Sequence, residues 1–403
     1  MGLLRLRSVT PAFLLLLFAA PGIQESGPAS ILWTAPAILA SALMIAWAAE
    51  SAQFFIAQGF ALAILAWMQT LPEFAVEAVI AWHRETHLLL ASLTGALRLL
   101  TGLGWPMIYF TAATVHRRRT GTALNAIRLE QQHAVEVVGL AAPLLYFAFV
   151  IWKGRLTIFD SVVLLCIYAA YLLILSGLPV EDPETVDELE AIPRKIVTSP
   201  RALRITLIAA LFLGGGLLIY YSAEPFLASL LALSSVVGVP AFVFLQWLTP
   251  IASEFPEMAS TFYFARTVDR APMALMNMVS SNINQWSLLP ALLPVLLSIS
   301  TGGVTAILFD ARQSRELLMT LAQALVGLMF LVNMTLAFWE AAVLFVLFLI
   351  PFAYPSSAPV ITSAYFIWAA VELVRTLLGQ RRPRALMDFG QMWRKHIVSQ
   401  RDR

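Results

Sequence analysis

Charged residues and cysteine are both scarce in this chain of 403 residues. Asp, Glu, Lys and Arg together make up 12 % of it, whereas hydrophobic residues make up 60 %. That balance lies far outside the range of a soluble globular domain and is typical of an integral membrane protein. The single cysteine, Cys166, excludes a disulfide framework and a thiolate metal site.

The sequence also lacks a Gly-rich phosphate loop, a nucleotide-binding fingerprint and a nucleic-acid-binding module. Their absence argues against direct drive by ATP and against a nucleic-acid partner. The expected partners are the lipid bilayer and inorganic cations. We expect no resident cofactor.

Apolar runs long enough to cross a bilayer recur along the chain and predict eleven transmembrane helices. A shorter apolar run at about 11 to 22 is interpreted as an uncleaved twelfth helix, with a signal peptide as the alternative. The eleven predicted spans lie at about 31 to 50, 58 to 82, 87 to 115, 133 to 152, 157 to 177, 203 to 231, 237 to 265, 272 to 300, 317 to 334, 336 to 353 and 361 to 379.

Basic residues are distributed unevenly between the predicted loops. With an N-terminus inside the cell, nineteen of the 26 Lys and Arg residues fall on the inside and five on the outside. The remaining two, Arg98 and Arg375, lie within helices. Because loops on the cytoplasmic side carry an excess of basic residues, this asymmetry predicts twelve crossings of the inner membrane with both termini in the cytoplasm.

A proline–glutamate pair stands in the middle of two apolar runs. Residues 70–77 read Thr-Leu-Pro-Glu-Phe-Ala-Val-Glu, and residues 254–261 read Glu-Phe-Pro-Glu-Met-Ala-Ser-Thr. Each pair is costly, since proline leaves a carbonyl without its donor and the carboxyl enters a low-dielectric region. The freed carbonyls are those of Met68 and Ala252. Disrupted helices in matching positions of two halves are typical of a transporter's binding site.

The carboxylates of the two motifs are spaced to act together. Glu73 and Glu77 are four residues apart, and Glu254 and Glu257 are three apart, so each pair shares one helix face. If both faces meet, up to four carboxylates and the two freed carbonyls form a cage of oxygen atoms. Such a cage suits a hard cation such as calcium or sodium and does not suit copper or zinc.

Further markers repeat in the same order as the motifs. Residues 48–50 and 222–224 precede them, and residues 91–97 and 276–282 follow them. By the predicted topology the first repeat begins outside and the second inside, so the repeats are inverted. The predicted fold is therefore an all-α membrane protein with two inverted repeats of five transmembrane helices and one extra helix at each end.

These repeats divide the chain into five predicted parts. The long acidic stretch between the halves is interpreted as a solvated linker. The parts are an N-terminal hydrophobic or signal-like segment at 1–30, the first repeat at 31–177, the acidic cytoplasmic linker at 178–202, the second repeat at 203–353, and an extra helix with a basic cytoplasmic tail at 354–403.

Together the motifs resemble the cation/calcium exchanger superfamily, which includes sodium/calcium and calcium/proton exchangers. Each of that family's two inverted repeats carries Gly-Thr-Ser-x-Pro-Glu in one helix and Gly-Ser-Asn-x-x-Asn/Asp in the next. The resemblance covers about 40 to 110 and 215 to 300. It implies that Glu73 and Glu257 coordinate the ion. The further binding residues that it and the motifs indicate are Glu77, Glu254, Thr70, Ser253, Ser281, Asn282, Gln285 and the carbonyls of Met68 and Ala252.

The first repeat departs from the family pattern. Ser92, Ala96, Leu97 and Leu100 stand where the family has polar ligands, whereas Glu77 and Glu254 are additional carboxylates. The loss of neutral oxygens weakens the case for several sodium sites. Clustered carboxylates raise one another's proton affinity, so calcium could exchange for protons.

The predicted function is a secondary antiporter that exchanges calcium for sodium or protons by alternating access at these carboxylates. The alternatives are a monovalent cation/proton antiporter, a channel, and an intramembrane enzyme that uses paired carboxylates. The inverted repeat argues against the enzyme. Two side questions stay open: Glu50 and Glu224 either line an access path or are carboxylates at helix ends, and Arg98 either neutralises a site carboxylate or forms a structural ion pair.

Overall fold

The computed structural model describes residues 27–55, 58–178, 186 and 189–398. Within these ranges almost all regular structure is helical. This confirms the predicted all-α membrane fold. The short apolar run at 11 to 22 lies outside the described residues, as do residues 179–185 and 187–188 of the predicted linker.

The described part of the first half forms six helices. A π-helical turn at Leu100–Gly104 joins the third to the fourth, so these two make one span that begins and ends later than predicted. The helices are α1 Ile31–Ala52, α2 Gln58–Trp82, α3 Ala91–Leu99, α4 Trp105–Thr120, α5 Ala134–Lys153 and α6 Ile158–Ser176.

The rest of the described chain forms nine more helices. A short one precedes the second half, and two follow it. They are α7 Ala191–Val197, α8 Arg201–Val237, α9 Ala241–Ser253, α10 Phe255–Ala265, α11 Ala271–Thr301, α12 Ala311–Leu331, α13 Phe338–Ala353, α14 Ala358–Leu377 and α15 Arg384–Met392. The predicted span at 237 to 265 is therefore two helices, α9 and α10.

By length and apolar composition together, seven helices among the described residues qualify as membrane spans. They are α1, α5, α6, α8, α11, α12 and α14, while α9 and α13 are shorter apolar helices. The longest, α8, has 37 residues and is about 55 Å long.

Two short antiparallel ribbons connect the halves. β1 (Ala126–Arg128), after α4, pairs with β4 (Thr335–Ala337), before α13; β2 (Arg155–Leu156), after α5, pairs with β3 (Ile307–Leu308), before α12. The two ribbons are equivalent by the repeat: β1 and β3 follow the third span of their halves, and β2 and β4 follow the fourth. Paired strands lie on one side of the membrane, so the loop after the third span of the first half shares a side with the loop after the fourth span of the second. This supports the predicted inverted arrangement.

Helices α1 and α8 pack extensively against each other. Part of their apolar contact forms two small clusters apart from the main core. One contains Ala37, Met44 and Leu218, and the other is built around Ile45 and Ala48. The main core joins α2 to α6 with α9 and α11 to α14, and it also includes Ile38 of α1 and Phe226 and Leu230 of α8. The α1–α8 pair is therefore partly independent of the main core.

Gly95 allows α3 to approach α9 closely. A Cβ atom on Gly95 would lie 1.7 Å from the backbone oxygen of Gln246 and 3.0 Å from Cγ of Pro250. Neither neighbour is a flexible side-chain end, so the helices would have to separate to admit a methyl group. In α8, Gly216 has no such neighbour within 4 Å.

We expect Gly95→Ala to destabilise the fold by about 1–3 kcal/mol, because overpacking would force α3 and α9 apart. The matched change Gly216→Ala should be neutral or stabilising by up to about 1 kcal/mol, since alanine favours helix. Thermal unfolding of the purified variants in one detergent measures the difference. Equal melting temperatures for the two variants would show that this contact does not limit the helix spacing.

Candidate functional site

Both proline–glutamate motifs line one cavity of about 60 Å³. Pro72 reaches it from α2, and Pro256 and Glu257 reach it from α10. A cavity of this size has room for a few water molecules. The two motifs, 184 residues apart in the chain, therefore meet at one place, as the repeat predicts.

The opposite wall of the cavity belongs to α1. Small side chains recur on one face of this helix and leave the space open. They are Ala42, Ala46 and Ala49, and Glu50 follows them. Glu50 thus lines the cavity, whereas Glu224 is exposed and its Oε1 lies 3.2 Å from Nε2 of His83. Of the two residues considered from sequence for an access path, Glu50 is the one that lines this cavity.

The second motif breaks its helix, and the first does not. α9 ends at Ser253 and α10 begins at Phe255, with Glu254 between them. By contrast, α2 runs unbroken through Pro72. Both motifs therefore lose a helical hydrogen bond at their proline, and the second motif also interrupts its helix. The physical reason is a second proline, Pro250, which also removes an amide donor on the same span.

The break brings Glu254 against Glu73 of α2. Their carboxyl groups lie within hydrogen-bonding reach of each other. Glu73 is 1 % exposed, and no amide, hydroxyl or amine donor of the described residues contacts either of its oxygens. Two carboxyl groups this close cannot both stay ionised in an apolar region unless a proton or a cation lies between them.

Helix α11 supplies the polar partners of the second motif. Ser281 Oγ donates to Glu257 Oε2 at 2.8 Å, and Gln285 Nε2 donates to Glu254 Oε1 at 2.8 Å. Glu254 is also close enough to Glu257 for their charges to repel. Together with Glu73, these four residues form one connected group of five predicted site residues.

Several oxygens of this group accept no hydrogen bond in the described structure. Buried acceptors without a partner are costly, so such a set marks a place where a proton, water or cation is needed. The oxygens are Oε1 and Oε2 of Glu73, Oε1 of Glu257, Oδ1 of Asn282 and Oε1 of Gln285. All are hard oxygen donors, the kind that calcium or sodium prefers.

Asn282 connects the site to the π-helical turn. Its Nδ2 donates to Oγ1 of Thr101 at 3.3 Å. Thr101 was not predicted from sequence, although a threonine beside a glycine in an apolar run was a visible signal. Single π-helical turns frequently occur at functional sites.

The remaining predicted residues take positions beside the carboxyls. Thr70 is buried on α2, and Ser253 lines the cavity while its Oγ donates to the carbonyl of Thr249 at 3.2 Å. Met68 and Ala252 lie four residues before Pro72 and Pro256. Their carbonyls therefore lack the amide donor that a non-proline residue would supply.

Glu77 is held by backbone amides. Its Oε2 accepts from the amide of Leu90 at 3.1 Å and its Oε1 from that of Leu93 at 3.3 Å. Leu90 has a left-handed backbone with φ of 68°, and α3 begins at the next residue. These contacts favour a capping role at the start of α3 over the ligand role predicted for Glu77.

The predicted cage of four carboxylates stays a prediction. In the described part of the chain, no three His, Cys, Asp or Glu side chains are grouped as a metal site would require. The observed group is instead a close pair, Glu73 and Glu254, with Glu257 beside it and amide and hydroxyl oxygens around it.

Arg98 forms a structural ion pair away from this group. Its Nη1 lies 2.8 Å from Oε2 of Glu316, and its guanidinium lies 4.9 Å from the ring centre of Trp247. Gln246 Nε2 also donates to Glu316 Oε2 at 2.9 Å. The ion pair joins α3, α9 and α12, so the structural alternative considered for Arg98 is the observed one.

The helical spans and the buried carboxyls define a multi-pass membrane transporter. A family model described as sodium/calcium exchanger protein matches residues 28–177 and 207–354. Because this match covers well over half of the chain, the protein belongs to the sodium/calcium exchanger family. It is therefore a transporter of the cation/calcium exchanger superfamily and not an enzyme.

Solved structures show the same fold. One described as the H+/Ca2+ exchanger CAX is 28 % identical, with a TM-score of 0.85 and 95 % of each chain covered. Native YfkE is 14 % identical, with a TM-score of 0.59 over 89 % of this chain and 98 % of that one. The sodium-calcium exchanger NCX_Mj is 16 % identical, with a TM-score of 0.52 over 81 % and 97 %. No curated protein sequence matches the chain.

We expect Glu77→Gln to lower stability and Glu73→Gln not to lower it. The amide introduced at position 73 would donate to Glu254 and remove a buried repulsion, so the melting temperature should be unchanged or higher. The amide introduced at position 77 would face a backbone donor and leave it unpaired, at a cost of about 1–3 kcal/mol. Thermal unfolding at neutral pH without divalent cations measures both. A lower melting temperature for Glu73→Gln than for Glu77→Gln would contradict the two roles.

Proposed function

We propose that the protein is a secondary antiporter that exchanges calcium for protons at Glu73, Glu254 and Glu257. The observation that carries this proposal is the contact between the Glu73 and Glu254 carboxyls. No donor group of the described residues reaches Glu73, so a proton or a cation must stabilise this contact. The 28 % identity to a structure described as an H+/Ca2+ exchanger also supports it.

Charge balance links the two ions. A bound calcium ion is neutralised by two ionised carboxylates in a region of low dielectric. When calcium leaves, those carboxylates repel each other and gain protons. Release of one calcium with uptake of two protons keeps the site neutral, so the site has low charge in both states.

The ligands proposed for calcium are all oxygens. Calcium takes six to eight of them, from carboxylates, amides and carbonyls. Glu73, Glu254 and Glu257 supply the charge, while Asn282 and Gln285 supply amide oxygens. The further candidates are Thr70, Ser253, Ser281 and the carbonyls of Met68 and Ala252.

Sodium is the less favoured counter-ion because α3 contributes few oxygens. Ala96, Leu97 and Leu100 are buried apolar residues at positions where the resembled family has polar ligands. The replacement of polar ligands by these apolar residues is also the observation that favours a monovalent cation/proton antiporter as the second candidate. Fewer neutral oxygens reduce the coordination available to calcium.

Access to the site differs between its two ends. The cavity lies on the Glu50 side. At the other ends of α2 and α11, Ser300 Oγ donates to the carbonyl of Trp82 at 2.6 Å, and Arg84 Nε donates to Ser300 Oγ at 3.3 Å. We propose that movement of the α1–α8 pair relative to the main core opens one end and closes the other. We place the protein in the inner membrane with both termini in the cytoplasm. In that orientation the Glu50 side of the site faces the cytoplasm.

We expect calcium uptake into proteoliposomes to be driven by an imposed pH gradient. Glu257→Gln should reduce the uptake on the order of 100-fold, because a neutral amide cannot replace the charge of this carboxylate. Uptake of radioactive calcium with a pH gradient, a sodium gradient or no gradient measures both effects. A useful control is Asp269→Asn, which changes a carboxylate outside the site.

Each outcome decides between the candidates. Uptake driven by sodium alone would replace protons as the counter-ion. No calcium movement under any gradient, together with proton movement driven by sodium or potassium, would establish the monovalent antiporter. Full calcium uptake by Glu257→Gln would contradict the assignment of the ion site to these carboxylates.

A further inference from the structure

Helix α15 follows directly after a transmembrane helix. α14 ends at Leu377, the chain turns at Gly379, and α15 begins at Arg384. A π-helical segment, Trp393–Val398, continues it. Because the chain has just left the membrane at Leu377, α15 lies close to the membrane surface.

Contacts at the ends of three spans hold α15 at this depth. The Ala385 amide donates to the carbonyl of Val332, at the end of α12, at 3.0 Å. Gln131 Nε2, just before α5, donates to Gln391 Oε1 at 2.8 Å. Arg381 Nη1 donates to Glu372 of α14 at 2.8 Å. The helix is therefore fixed beside the ends of α5, α12 and α14, at the level where lipid headgroups lie.

The apolar residues of α15 and of the π-helical segment after it are only partly used for packing. Ala385 and Met392 are buried, and α15 packs against α5. Leu386, Met387 and Trp393 remain 59 %, 57 % and 38 % exposed. Aromatic and aliphatic side chains on such a helix are stabilised at the boundary between headgroups and acyl chains.

The charge of the same segment is strongly positive. From Arg382 to Lys395 the chain holds four basic residues and one acidic residue, Asp388. Arg384 and Arg394 are exposed. Each basic residue near an anionic lipid surface strengthens binding about fivefold. A surface with exposed apolar and basic residues at headgroup level is complementary to anionic lipid.

We propose that α15 is an interfacial helix that binds anionic lipid headgroups. Leu386, Met387 and Trp393 contact the upper acyl chains, and Arg384 and Arg394 contact the phosphates. Because α15 bonds to the ends of α5 and α12, one helix from each half, bound lipid holds the two halves together on this side. This inference does not depend on which ion is transported.

Hydrogen–deuterium exchange of the full-length protein in nanodiscs tests the proposal. We compare phosphatidylcholine alone with phosphatidylcholine containing phosphatidylglycerol, and follow the backbone amides of residues 384–395. Exchange should be several-fold slower in the anionic nanodiscs, and high salt should remove this difference. Unchanged exchange in α2 to α6 verifies that each sample is folded.

Two double variants separate the charge from the apolar contact. R384Q/R394Q should lose the slowing caused by anionic lipid. In phosphatidylcholine alone it should exchange at the same rate as the unmodified protein. L386Q/W393Q should exchange faster in both lipids. The matched control R312Q/R315Q removes two arginines near the start of α12 and should behave as the unmodified protein does. Identical exchange of residues 384–395 in neutral and anionic nanodiscs would overturn lipid binding and leave α15 as a structural connection between helices.

Discussion

The contact between the carboxyls of Glu73 and Glu254 is the interaction on which the rest of the structure depends. It places two acidic groups side by side in an apolar region, where only a proton or a cation can stabilise both. The contact is made at the break between α9 and α10, where Glu254 lies between the two helices. The donors of α11 then fix the second motif, and the cavity beside α1 lies against it.

The sequence contained enough information to predict the helices, the membrane location and the meeting of the two proline–glutamate motifs. Those features follow from apolar run length and from local repetition. The partners of individual side chains were harder to predict. Glu77 caps α3 because Leu90 adopts a left-handed backbone, and Arg98 pairs with Glu316, 218 residues away. Such contacts depend on tertiary packing, which no local pattern of residues specifies.

The two halves share a plan and differ in chemistry. In the second half Pro250 and Pro256 break a helix that stays continuous in the first, and α11 supplies polar donors where α3 presents mainly apolar residues. α3 instead approaches α9 closely at Gly95 and joins the Arg98–Glu316 ion pair. One half therefore supplies most of the polar side chains of the candidate site, while the other provides rigid support.

The length and position of α8 have a consequence for the surrounding lipid. The helix is about 55 Å long, longer than the roughly 30 Å hydrocarbon core of a bilayer, and it must tilt or extend beyond the core. Much of its apolar surface is exposed, including Leu213, Leu217 and Tyr220. If α8 changes its tilt as it moves with α1, hydrophobic mismatch enters the energy difference between the two access states. Bilayer thickness would then act on the exchange rate without any contact at the ion site.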